Sequence, residues 1–328
     1  MKKVLLKALI AILAVFFVFI APVQASDSKP VELKLWGAWI PDTFSSDPFL
    51  HMFMDMVNDR GKAVNLSIKL VGGPEVFKAF DGIEALRNGV VDAAYTAAVY
   101  HARLVPEARA MMLSQLTPME ERKTGAHALM NEFHEKKAGI HFLFRLGMQP
   151  YFNFYMNVEL DKVDFNGLKL RSTPAYDAII KHLGGAIIRT QMSEVYTALE
   201  RGVIQGYGFP TLGINDHKLD EVTKYVWGPG FYASPTGIFI NLAKWKSLSE
   251  EQRTVLTEIG MSMEEESTRI FPEYVQKDRE LIKKSGVKIY DLSPEQEKKL
   301  LQITQDAGWA MVMEKAPDAA ALRPLMTK

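Results

Sequence analysis

The stretch D-F-N-G-L-K-L-R-S-T-P, residues 164–174, decides how the chain is read, together with H-L-G-G-A-I-I-R at 182–189 and M-S-E-V-Y-T-A-L-E-R-G-V-I-Q-G at 192–206. Gly167 ends a turn, and Leu168-Lys169-Leu170 alternates as a short strand does. Arg171 closes that strand, immediately before Ser172-Thr173-Pro174. Proline suits the first turn of a helix, where its missing N–H costs nothing, and Thr173 is a natural N-cap. Arg171 is thereby placed at a strand-to-helix junction. A planar guanidinium beside a helix N-terminus can hold a carboxylate with two parallel hydrogen bonds. The plainer alternative is a solvated or salt-bridged surface arginine.

The pattern then repeats. Ala186 to Ile188 reads as a strand, and Ser193 as the cap of a helix with Val195, Tyr196 and Leu199 at helical spacing. Gly202 ends that helix, and Val203-Ile204 begins another strand. Strand, helix, strand, helix, strand predicts an α/β unit with a parallel sheet.

These residues resemble the substrate-binding proteins of tripartite ATP-independent periplasmic (TRAP) transporters, of the dicarboxylate-binding type. The pattern runs F-x-G-L-K-[IL]-R, then L-G-A-x-P, then E-V-Y-x-A-L-x-x-G-x-V-D-G-x-x-N-P. Phe165, Gly167, Leu168, Lys169, Leu170 and Arg171 match, as do Leu183, Gly184, Glu194, Val195, Tyr196, Ala198, Leu199, Gly202, Gly206 and Pro210. The combined spacing is specific; any one piece would be weak. The resemblance implies a two-lobe, type II periplasmic-binding-protein-like α/β fold, with a hinge of crossover strands and a long kinked helix. It implies a non-enzymatic receptor, which passes a small carboxylate to membrane permease subunits of a TRAP transporter; no cofactor or metal-ligand residue is expected.

The chain departs from the pattern at two positions. Gln205 stands in place of the Asp, and Phe209 in place of the Asn that commonly hydrogen-bonds the ligand in such proteins. Phe209 cannot hydrogen-bond, but it adds a ring. With Trp36, Trp39, Tyr151 and Tyr176 as further candidates, an organic acid with an aromatic or hydrophobic body is expected rather than a small dicarboxylate or a sugar acid.

Composition is consistent with this. The 328 residues suffice for two lobes. Hydrophobic residues make up 48% and charged residues 24%, an ordinary globular balance. Lys+Arg and Asp+Glu are both 39, so no basic excess points to nucleic acid. The absence of cysteine removes disulfides, thiolate metal sites and cysteine nucleophiles together.

Lys2 and Lys3 precede an apolar run to Val23, and Val23-Gln24-Ala25 offers small residues before a cut. Residues 1–25 are read as a signal peptide cleaved after Ala25, which places the protein in the periplasm. A membrane anchor is the rival, but the run from Ala8 to Val23 is short for a span.

Lobe 1 is expected over 26–148 and 236–270, and lobe 2 over 149–235 and 271–328. In lobe 1, Val31–Trp36, 65–71 and 90–95 read as strands, with helices from Asp47-Pro48 to about Asn58 and from Gly72-Gly73-Pro74-Glu75 to Asn88. Ligands of such sheets bind beyond the carboxyl ends of strands, which nominates Trp36, Trp39, Tyr95, Thr96 and Glu75. Pro118 to Lys137 reads as one helix. Its His127 and His134, with His141 beyond, lack the spacing of a zinc site and are expected at the surface or at caps.

Ile140–Leu146 and Tyr151–Val158 read as strands crossing into lobe 2. The resemblance implies a second ligand-binding group here, with Arg145, Gln149 and Tyr151 as candidates; Arg145 could instead pair with an acid at the hinge. Thr173 and Met192 complete the candidate site. Thr236–Asn241 is the returning strand, Ser249 and Gln252 cap a long helix that Pro272 should kink, and Ser293 and Gln296 cap another. An exported enzyme and a ligand sensor on the same fold are the competing functions. No G-x-S-x-G or metal spacing supports an enzyme, and Glu194 is better read as an acid favoured in a helix's first turn.

Overall fold

The computed structural model describes residues 29–39, 48–147, 151–160, 162–173, 176–190, 192–290 and 292–328. The leader at 1–25, Gln149 and Pro174 lie outside them. The strands in chain order are β1 (Val31–Gly37), β2 (Leu66–Gly72), β3 (Ala93–Ala97), β4 (Ile140–Arg145), β5 (Phe152–Met156), β6 (Lys169–Arg171), β7 (Ala186–Ile188), β8 (Gly206–Pro210), β9 (Tyr225–Trp227), β10 (Thr236–Asn241) and β11 (Lys288–Tyr290). The helices are α1 (Phe49–Arg60), α2 (Gly82–Arg87), α3 (Pro118–Thr124), α4 (Ala126–Ala138), α5 (Asp177–His182), α6 (Val195–Glu200), α7 (Leu242–Ser247), α8 (Glu250–Lys284), α9 (Pro294–Lys315) and α10 (Arg323–Met326).

Two sheets form. The first has the order β2-β1-β3-β10-β4 and the second β11-β9-β5-β8-β6-β7. Within each, the local βαβ units are parallel, β1 to β2 and β3, and β6 to β7 and β8. The crossover strands are antiparallel to their neighbours: β10 to β3 and β4, and β5 to β8 and β9. The chain passes from the first sheet to the second between β4 and β5, and returns between β9 and β10. A strand that enters a sheet from the other lobe comes from the opposite end, so both sheets are mixed rather than purely parallel.

The long helix α8 joins the lobes. Ser249 and Gln252 form its capping box, and Pro272 lies inside it. On the first-lobe side Phe271 packs on Phe49 at 4.6 Å. On the second-lobe side Ile282 is buried with Tyr155 and Val226, and Asp278 Oδ1 accepts from the Gly213 N–H at 3.4 Å. Helix α9, capped by Ser293 and Gln296, lies between α5 and the turn Pro106–Leu113. The lobe boundaries remain our proposal; the end of the chain touches first-lobe residues, since Met326 O accepts from Gln115 N and Leu325 O from Thr124 Oγ1.

Several local expectations are corrected. Gly125, at φ +87°, breaks 118–137 into α3 and α4. Residues 73–81 form turns, and the helix after them is only Gly82–Arg87. The three histidines are not at the surface or caps. His134 is fully buried and meets His101 with Nε2 atoms 2.9 Å apart. His127 stacks on Phe142 and His141 on Trp245. Apolar neighbours from β4, β10 and α7, which lie far away in sequence, explain the difference.

Candidate ligand-binding site

Strand β6 ends with Arg171 in register with Ile188 of β7 and Tyr207 of β8. The side chain is 8% exposed. Its Nε donates to the Thr190 carbonyl at 3.3 Å. Among the described residues no carboxylate lies within ion-pair distance of it. Burial pulls its pKa down, and Arg189 nearby acts in the same direction, while the Tyr176 and Tyr100 phenols oppose. An arginine stays charged in proteins regardless, so the site holds a desolvated cation with hydrogen-bonding capacity to spare. Arg189 itself pairs with Asp177, which also accepts from Ser172 Oγ at 2.8 Å.

The helix after Arg171 starts later than expected: α5 begins at Asp177, with Tyr176 at its N-cap and the Tyr176 N–H donating to Thr173 O. Thr173 is half-buried. Tyr176 therefore precedes the helix instead of standing within its first turn. Tyr176 is 4% exposed and packs on Phe152 at 5.2 Å, over the Cα of Gly208, where a Cβ would stand 2.9 Å from the ring. Burial raises its pKa, with Arg171 and the Thr173 hydroxyl countering. It remains a neutral donor beside the guanidinium.

From the first lobe, Trp39 is half-buried and contacts Tyr95 edge-on at 5.6 Å and Tyr100 at 6.1 Å. Tyr100 stands in the turn Ala98–His101 beyond the carboxyl end of β3. Its phenol is coupled electrostatically to Arg171 and to Tyr176. The sequence reading missed Tyr100. Its signal was available: it lies five residues past Tyr95, just beyond the strand end where cleft residues are expected.

Other candidates fall elsewhere. Trp36 is a correction: it is 0% exposed, its Nε1 donates to Gly73 O at 2.9 Å, and its ring lies against Gly82, so it belongs to the first lobe's core. Arg145 is also a correction as a ligand group. It is 1% exposed, its Nε and Nη2 hold Glu121 at 2.8 Å each, and Leu146 O and Leu116 O take further bonds. It pairs with an acid at the crossover, as the alternative had it. Glu75 is exposed and turns back to accept from its own loop at Gly73 N, 2.6 Å, which lowers its pKa. Phe209 points to the side of its strand away from Gly208 and packs near Tyr155, Tyr207 and His217. Met192 is half-buried against that same cluster.

Tyr151 is half-buried at the start of the second lobe, bridged to Ala233, with Arg145 close by. Tyr95 is 1% exposed in the first-lobe core. Thr96 is equally buried, and its Oγ1 has no partner among the described residues. There, too, no group of three His, Asp or Glu side chains could hold a metal ion, and no helix is long and apolar enough to cross a membrane.

Comparison with known proteins places this architecture. Residues 40–315 match the family model of bacterial extracellular solute-binding protein, family 7 (DctP). An uncharacterized protein of Haemophilus influenzae is 27% identical over 229 residues, spanning 64% of this chain but only 62% of its own length. A solute-binding protein of Chromohalobacter salexigens is 25% identical over 311 residues, 91% of this chain and 90% of that one. Among solved structures, a TRAP periplasmic solute binding protein from Desulfovibrio desulfuricans with bound sn-glycerol-3-phosphate superposes with a TM-score of 0.78 at 20% identity, covering 90% of this chain and 96% of its own. One from Desulfovibrio salexigens with bound orotic acid gives 0.77 at 19%, covering 90% and 97%. The two-lobe fold and the match over most of the chain agree, and the chain belongs to the DctP family, family 7 of the bacterial extracellular solute-binding proteins.

Proposed function

We propose that this receptor captures an organic acid in the periplasm, anchors its carboxylate on Arg171, and delivers it to the membrane permease of a TRAP transporter. The observation that carries the reading is the buried Arg171 guanidinium with no carboxylate partner among the described residues. A buried charge without a partner is costly, and a ligand carboxylate removes that cost by two parallel charge-assisted bonds. Tyr176 adds a neutral donor on the same side. The lobes close by a hinge at the crossover strands, and closure excludes water and strengthens the ion pair. A micromolar affinity corresponds to about −8 kcal/mol.

The relatives hold different anions, sn-glycerol-3-phosphate in one and orotic acid in another. They support an anionic ligand without selecting it. The test is a thermal-shift screen of the mature protein against dicarboxylates, 2-keto acids, sugar acids and aromatic acids. Ligand that binds only the folded state raises the melting temperature. A shift confined to one class of acid, lost in Arg171→Ala, is expected; a response that survives the substitution removes Arg171 from the site.

A further inference from the structure

Phe80 lies between β2 and α2 and is 65% exposed, more than any other large hydrophobic side chain among the described residues. Its ring stands edge-on to Tyr100 with centroids 5.1 Å apart. Tyr100 leads to Trp39, and Trp39 to Tyr95. The first lobe therefore carries an unbroken row of rings from solvent to its core. Tyr100 stands just past the carboxyl end of β3 and Arg171 at the carboxyl end of β6, the ends beyond which such sheets bind ligands, and the phenol and the guanidinium are coupled electrostatically.

The Trp39 ring packs on Tyr100 with centroids 6.1 Å apart, and a phenol hydroxyl both donates and accepts. No acceptor for the phenol's own hydrogen is found among the described residues, so it can serve a ligand. Burial raises the pKa of Tyr100 above its ordinary value, so that hydrogen is present at neutral pH. A carboxylate on Arg171 can accept several bonds at once.

We infer that Tyr100 and Phe80 determine specificity. The Tyr100 hydroxyl donates to the carboxylate held by Arg171, and the Phe80 and Tyr100 rings cover an aromatic body attached to that carboxylate. The inference rests on the carboxylate reading of Arg171, and it assigns the aromatic contact to the first lobe rather than to Phe209. The ligand so held spans both lobes: Arg171 and Tyr176 bind from one side and Tyr100 from the other.

The experiment measures the affinities of phenylpyruvate and pyruvate, which share a head group, by calorimetry on the wild type, Phe80→Ala, Tyr100→Phe and Arg171→Gln, with circular dichroism confirming that each variant is folded. Phenylpyruvate is expected to bind the wild type more tightly than pyruvate. Phe80→Ala should weaken phenylpyruvate about 5- to 10-fold and leave pyruvate nearly unchanged, the scale of an aromatic contact. Tyr100→Phe keeps the ring and should weaken both acids about 10-fold, the scale of one hydrogen bond to a charged group. Equal wild-type affinities, or a phenylpyruvate preference untouched by Phe80→Ala, overturn the assignment while leaving Arg171 as the anchor. Binding of neither acid by the wild type overturns the assignment too, and binding that Arg171→Gln leaves intact overturns the anchor as well.

Discussion

Arg145 and Glu121 are joined by two hydrogen bonds of 2.8 Å, Nε to Oε2 and Nη2 to Oε1, with both side chains almost wholly buried. Arg171, the other buried arginine among the described residues, donates to one carbonyl. The two share a residue type and a burial class but differ in what satisfies them. One cation is neutralised within the fold, and the other has no carboxylate partner among the described residues.

Removing Arg145 should therefore damage stability. Arg145→Leu leaves the Glu121 carboxylate buried and uncompensated, which costs about 3–5 kcal/mol. Urea denaturation should show this loss, and Arg145→Leu with Glu121→Leu together should recover much of it.

Arg171→Ala should do the reverse. Binding of the best acid in the screen should fall at least on the order of 100-fold, consistent with the roughly 2–5 kcal/mol lost when one partner of a desolvated charge pair is truncated. The melting temperature without ligand should hold or rise, because an uncompensated buried charge is removed. Calorimetric titration and a thermal melt on the same preparation check both halves.

Stability should decline toward alkaline pH through Glu264. Its carboxylate is fully buried, and although Arg122 Nε donates to it at 2.6 Å, desolvation dominates and raises its pKa from 4.5 to about 7. The folded state therefore binds this proton more tightly than the unfolded state. The contribution is fully present below pH 4.5 and is lost as pH rises through about 7, with a size on the order of 1–3 kcal/mol. Glu264→Gln should flatten the melting temperature between pH 5 and 8; an unchanged slope would show that Arg122 keeps the carboxylate ionised.

The acid side is governed by histidines. His134 is held down to about 4 and His127 to about 3, mainly by burial. Both are depressed bases, so the unfolded chain takes up their protons first. Stability from these groups is present above pH 6.5 and falls as pH drops through that value toward their folded pKa. His134→Leu should lessen the fall between pH 6.5 and 4 in a pH-resolved denaturation series.

Gly237→Ala should be among the more damaging small substitutions. A Cβ there would stand 2.1 Å from the Phe144 backbone oxygen and 2.9 Å from the Arg145 Cα. Backbone cannot yield as a side-chain tip does, so a loss of about 1–3 kcal/mol is expected from overpacking. Because Gly237 pairs with Arg145 across β10 and β4, the loss should appear at the crossover. Hydrogen exchange of the β4 amides would register it.

Much of this was legible in one dimension because it depends on local chemistry. Strand β6 with Arg171 at its end follows from alternation and a turn glycine. Both long helices start at capping boxes that the sequence spells out, Ser249 with Gln252 and Ser293 with Gln296. Strand β10 falls on Thr236–Asn241, as its apolar run indicates. What could not be read locally was the partner of each side chain. Trp36 and Trp39 sit three residues apart after the same strand, yet one closes over Gly82 and Phe77 and the other meets Tyr95 and Tyr100. Phe209 and Gly208 are adjacent, but the two-residue period of a strand sends them to opposite faces. The sequence alone determined strands β1 to β3, β6 and β10, the starts of both long helices and the presence of an arginine at a strand end, and its family resemblance gave the two-lobe class. Only the tertiary structure decided that Arg145 is neutralised while Arg171 is not, because an ion pair depends on residues 24 positions away being brought within 3 Å, and no local pattern encodes that distance.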